Sequence, residues 1–100
     1  MTERTIAGTI NGNGTIKFGT GFTATRSSEG FYLISFRPGF TAVGGASVTQ
    51  IFTNGDTRDN AVIQSLTSTE LYVKVGDSGG KAKDRDFSFI AAGDCSLVAK

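Results

Sequence analysis

The chain has no histidine and no tryptophan, and a single cysteine, proline and methionine among its 100 residues. Each absence removes a class of chemistry. Without histidine there is no Ser-His-Asp or Cys-His nucleophilic pair, no imidazole general base, and no His-ligated zinc or haem. The lone Cys95 allows neither an intrachain disulfide framework nor a CxxC site, and one unpaired thiol assigns no redox compartment. No apolar run approaches the roughly 18–20 residues of a membrane-spanning helix, and no signal-peptide-like stretch follows Met1. Net charge is also nearly absent, at +1. The cations are scattered, and the one dense stretch, Lys81 to Arg85, is interleaved with Asp84 and Asp86. Phosphate backbones need clustered Lys and Arg. Neither nucleic acid nor membrane insertion is therefore expected.

What the chain does have is glycine, threonine and serine for turns and strands, and eight Phe with two Tyr for bulk. Its length fits one domain over residues 1–100. Short runs rich in Thr, Val, Ile and Phe alternate with Gly, Asn and Asp clusters, and no window carries a helical stripe. Arg4 to Ile10 reads as a first strand, and Asn11-Gly12-Asn13-Gly14 as a hairpin turn. Thr15 to Thr25 follows, bent at Gly19 and Gly21. After Glu29-Gly30 comes the clearest strand, Phe31 to Arg37, ended by Pro38-Gly39. Phe40 and Val43 are expected to tuck a connection under the sheet before Gly44-Gly45, with strands at Ala46–Thr53, Ala61–Leu66 and Glu70–Val75 beyond. Asp77 to Asp84 reads as a polar loop, Arg85–Ala92 as the closing strand, and Cys95–Ala99 as an edge strand or frayed tail. Seven or eight short antiparallel strands in a chain this size predict an all-β sandwich, with a small barrel as the alternative.

The strand Phe31–Arg37 is apolar on both faces: Tyr32, Ile34 and Phe36 on one, Phe31 and Leu33 on the other. Such a strand is either fully buried or covered by another subunit, and in a thin two-layer domain the second competes with the first, so an oligomer is expected. Phe31 and Leu33 are accordingly the expected oligomer interface. The carboxylate pairs Asp56/Asp59 and Asp84/Asp86 have the residue types of a glycosidase or a Ca²⁺ site. A short chain without Trp lacks the aromatic-floored cleft that hydrolysis uses, and Asn54 to Asn60 lacks the spacing of an EF-hand. Turn chemistry is the expectation for the first pair, and surface pairing with Lys83 and Arg85 for the second. Gly12-Asn13-Gly14 and Gly19-Thr20-Gly21 are flanked by strands, so they are turn glycines and not a dinucleotide fingerprint. No catalytic residue, metal or cofactor is expected. Arg58, Asp59 and Asn60 form the one polar cluster suited to recognition: a planar fork of donors beside acceptors matches vicinal sugar hydroxyls. Tyr72 is a candidate stacking partner.

Gly30-Phe-Tyr-Leu-Ile-Ser-Phe-Arg-Pro-Gly-Phe40, the Val48-Thr-Gln-Ile-Phe52 strand, Leu71-Tyr-Val-Lys-Val75 and the closing Asp86-Phe-Ser-Phe-Ile-Ala-Ala-Gly93 together resemble a family of short β-sandwich modules. Such modules form the C-terminal tips of phage tail fibres and bacterial collagen-like proteins. The strand order is also similar to the H-type lectin domain, a trimeric sandwich that binds N-acetylgalactosamine-type sugars. The resemblance covers about residues 15–93. It implies a non-enzymatic homotrimer that binds cell-surface carbohydrate, or one that only trimerises, at the virion or cell surface. Arg58 lies where that family places a sugar-contacting Arg. The sequence departs from the family pattern at Gly76–Gly80 and at Phe89, where Trp would be expected.

Overall fold

The computed structural model describes residues 2–95. They form eight strands in chain order: β1 (Thr2–Ile10), β2 (Ile16–Phe18), β3 (Phe22–Ser28), β4 (Phe31–Phe36), β5 (Ala42–Ile51), β6 (Asn60–Leu66), β7 (Glu70–Gly76) and β8 (Asp86–Cys95). Two four-stranded antiparallel sheets, β2-β1-β8-β5 (sheet A) and β3-β4-β7-β6 (sheet B), pack into a β-sandwich. The β1–β2 hairpin pairs Ile10 with Ile16, and its turn is closed by the Gly14 amide on the Asn11 carbonyl at 2.8 Å.

Alternation along the strands fills the core. Ile6 and Ile10 of β1 and Phe87, Phe89 and Ala91 of β8 point inward from sheet A. Tyr32, Ile34 and Phe36 of β4 and Leu71, Val73 and Val75 of β7 point inward from sheet B. Phenylalanine joins the layers, Phe22 meeting Phe89 edge-on at 4.9 Å and Tyr32 meeting Phe87 at 5.0 Å between ring centroids. Such pairs add about 0.5–1.5 kcal/mol each beyond the area they bury. Phe40 is buried against Phe36, as a residue tucked under the sheet should be.

The expected break at Gly44-Gly45 is instead a bulge inside β5, which begins at Ala42 and takes in Val43. Opposite it, Gly93 has no room for a side chain: a methyl group there would collide with the Ala42 carbonyl and lie 2.8 Å from the Val43 Cα. Glycine pairs read as strand breakers also serve where two backbones approach closely. Cys95 ends β8, and the remainder of the expected Cys95–Ala99 strand lies outside the described residues.

The two glycines of this bulge make opposite demands. Gly93→Ala is expected to destabilise the domain by about 1–3 kcal/mol, the usual cost of overpacking. Gly45→Ala, with nothing within 4 Å of the added methyl, should stay within about 0.5 kcal/mol of the parent. Thermal unfolding of the two variants side by side checks the bulge.

Candidate functional site

All four polar connections at one end of the sandwich come together: residues 11–15, 29–30, 52–59 and 77–85. The antiparallel registers place them there, since Ile10 faces Phe87, Ile51 faces Asp86, Asn60 faces Gly76 and Phe31 faces Lys74. This end carries two polar clusters and two open concavities.

The first cluster is built on Asp84. Its carboxylate accepts the Gly30 amide at 2.8 Å and the single Arg26 Nε proton across both oxygens, at 2.9 and 3.0 Å. The fully buried Tyr32 shares its one hydroxyl proton between Asp84 Oδ1 at 3.1 Å and the Gly12 carbonyl at 2.7 Å. Asp86 accepts the Gly12 amide at 2.8 Å. The expected pairing of Asp84 and Asp86 with Lys83 and Arg85 is therefore overturned. Alternating charges on an extended segment point to opposite sides, so sequence neighbours face different partners. The Arg26 hydrogen bond holds the Asp84 carboxyl below the usual range, and burial followed by the Asp84 charge raises the Tyr32 phenol.

The second cluster joins the sheets. Gln50 of β5 donates to the Asn60 and Gly76 carbonyls of sheet B at 2.8 and 2.7 Å. It also accepts from Arg85 at 3.0 Å, and Arg85 reaches Asp59 at 3.4 Å. The Arg85 guanidinium lies 3.6 Å from the centroid of the Phe52 ring. Asp59 is thus committed inward, its side chain only 11% exposed. The concavity beside Phe52, about 520 Å³, is lined by Lys17, Ile51, Arg85 and Asp86, and its Arg85 is already paired with Asp59.

The open cleft, about 380 Å³, lies on the other side of the same loop. Its floor is the outward face of β6 and β7, with Val62, Gln64, Lys74 and Gly76. One wall is Arg58 and Asn60; the other is the turn Asp77-Ser78-Gly79-Gly80, with Asp77, Ser78 and Gly80 against the cleft. That turn is built by Asp77, whose Oδ1 accepts the Gly79 and Lys81 amides at 2.9 and 3.0 Å. These bonds, the Lys81 amide first, hold the Asp77 carboxyl below its ordinary value. In the 54–60 loop, Asp59 Oδ2 accepts the Asp56 amide and Asp56 Oδ1 the Arg58 amide, each at 2.8 Å. This is the turn chemistry expected of the segment. Asp56 also pairs with the Arg58 side chain at 3.0 Å, which lowers its carboxyl.

Of the four residues expected to contact ligand, Arg58 and Asn60 line the cleft, and Asp59 and Tyr72 do not. Tyr72 lies on the outward face of β7, stacked on Phe31 at 6.0 Å with its hydroxyl 3.0 Å from Ser27 Oγ. Phe31 and Leu33 lie on that face too, half-buried, and the Lys74 ammonium sits 5.8 Å from the Phe31 centroid. The cleft residues not foreseen, Val62, Gln64 and Lys74, follow from the alternation that points Ala61, Val73 and Val75 inward. Among the described residues no group of acidic and thiol side chains is arranged to hold a metal ion.

Asp84, Asp56 and Asp77 all have folded-state pKa values below the unfolded ones, so they stabilise the fold above the ordinary carboxylate pKa. That contribution is lost as pH falls through the lowered folded values. The denaturation midpoint is expected to hold between pH 7 and about 5 and to drop below about pH 4. Asp84→Asn should cost about 1–2 kcal/mol at pH 7 and flatten the acid limb, read by chemical denaturation across that range. Comparison with protein-family models, with curated proteins and with solved structures returned no match, so the reading of the site rests on its own geometry.

Proposed function

We propose that the protein is a non-enzymatic, self-associating β-sandwich module that binds cell-surface carbohydrate in the cleft between Arg58-Asn60 and the Asp77–Gly80 turn. The convergence of these two loops on one concave surface carries the reading. Pockets of about 300–1,000 Å³ with a few convergent polar groups are the usual form of small-ligand sites. The planar groups of Arg58, Asn60 and Gln64 surround the apolar patch of Val62, which suits a sugar ring with polar edges and an apolar face. Both walls are held by backbone-to-carboxylate bonds, so little ordering entropy is lost on binding.

A second reading, an assembly module without ligand, is favoured by the outward face of sheet A. Registers place Thr5, Ala7, Thr9, Ser47, Thr49, Ser88, Ile90 and Ala92 across its middle, with the charged Glu3, Asp94 and Asp86 at its two ends. Ile90 is 48% exposed and Phe18, beside Thr9, is 78% exposed. On the Phe31/Leu33 face, by contrast, Lys74 and Tyr72 cover part of the apolar surface.

A glycan array probed with the folded protein is expected to show binding to at least one sugar class, weakened about tenfold by Arg58→Ala, the loss of one charge-assisted contact. A blank array with a folded oligomer would remove the carbohydrate reading and leave the assembly module. Light scattering at micromolar concentration is expected to give a trimer. Dissociation by Leu33→Glu but not Ile90→Asp assigns contact to sheet B, and the reverse assigns it to sheet A. A monomeric parent chain removes self-association.

A further inference from the structure

We infer that the cleft selects sugars bearing a carboxylate, such as uronic acids, over neutral sugars; this rests on the carbohydrate reading of the same site. The charges lining it are Arg58, Lys74 and Asp77. Asp77 has one oxygen spent on two backbone amides of its own turn. Asp59, which would neutralise the site, is turned to the other side of the loop and bound to Arg85. Asp56 engages one Arg58 N–H and leaves the rest of a side chain that is 73% exposed. Asn60 has its Oδ1 committed to the Ala61 amide at 2.8 Å, so its NH₂ is the group it has to offer.

The balance of hydrogen-bonding groups therefore favours donors. A neutral sugar hydroxyl both donates and accepts, whereas a carboxylate only accepts. Arg58 offers the planar fork that matches a carboxylate, and Lys74 adds a second positive charge to the lining. Lys74 is steadied from the β4 side: its ammonium lies 5.8 Å from the centroid of Phe31, its partner in the register, which stacks on Tyr72.

Isothermal titration with hyaluronan hexasaccharide and chitohexaose compares chains of equal length, with and without alternating carboxylates. The acidic chain is expected to bind at least about tenfold more tightly, the worth of one charge-assisted contact, and to weaken as salt rises from 50 to 500 mM. Arg58→Gln and Lys74→Gln, both in the cleft lining, should each weaken hyaluronan binding about tenfold more than chitohexaose binding, erasing most of that preference. Equal binding of the two chains, or equal weakening of both by the variants, overturns acid selectivity and leaves the carbohydrate reading standing. Failure of both chains to bind, together with a blank array, overturns the two together.

Discussion

The carboxylate of Asp84 holds the functional end of this domain in place. A small sandwich can close its core with apolar side chains, but its turns contain backbone groups that strand pairing leaves without partners. Here one carboxylate accepts from the β3–β4 turn at Gly30, from β3 at Arg26 and from the buried Tyr32 of β4. Through Tyr32 it reaches Gly12, and Asp86 takes the amide of that same glycine. Two connections, β1–β2 of sheet A and β3–β4 of sheet B, are thus tied to the segment that leads into β8. Gly30 adopts φ of +79°, and a methyl on it would lie 2.7 Å from the Lys83 amide and the Val75 carbonyl, so the turn and the 82–84 segment fit only with glycine there.

With that segment fixed, Arg85 is aimed the other way, toward Gln50, Asp59 and Phe52. The consequence is a separation of roles within one loop. Asp59 faces inward and joins the sheets, and its neighbours Arg58 and Asn60 are left to face the cleft. A paired, mostly buried charge is costly to break because its partner is left desolvated. The inward half of the loop is consequently the rigid half, and it presents the outward half in one geometry. Hydrogen bonds and one charge pair hold the loop by this means.

The alternation of β4, β7 and β8 and the turn residues between them make the sandwich readable from sequence, because strand period and burial coincide when one face is buried. The bulge at Gly44-Gly45 was not readable: a glycine pair looks the same whether it ends a strand or lets another backbone approach. At the site, Arg58 and Asn60 stood out by residue type, and the orientation of Asp59 did not. Whether an acidic residue in a turn faces solvent depends on a distant cation, here Arg85, 26 positions along the chain. The pairing of Asp84 with Arg26, 58 positions away, was hidden for the same reason, since the nearer Lys83 and Arg85 were equally plausible by spacing. Local geometry is written locally; the partners of charges are set by topology.

The absence of tryptophan ends with a different meaning from the one it first has. A sugar site on a β-sandwich commonly uses a large ring as a platform, and the turn at Asp77–Gly80 offers none. The aromatic pair nearest the cleft, Phe31 and Tyr72, is stacked on itself and lies under an ammonium. The Phe31 face is thus taken up by the Lys74 ammonium and by Tyr72. Chemistry that another sandwich would obtain from stacking must come in this one from charge and hydrogen bonds around Val62. Hydrogen bonds discriminate more sharply than an apolar surface does, because a mismatched ligand leaves a polar group unpaired. Under the carbohydrate reading proposed above, the cleft would bind through the placement of a few donors, and its selectivity would depend on the rigidity of the two loops.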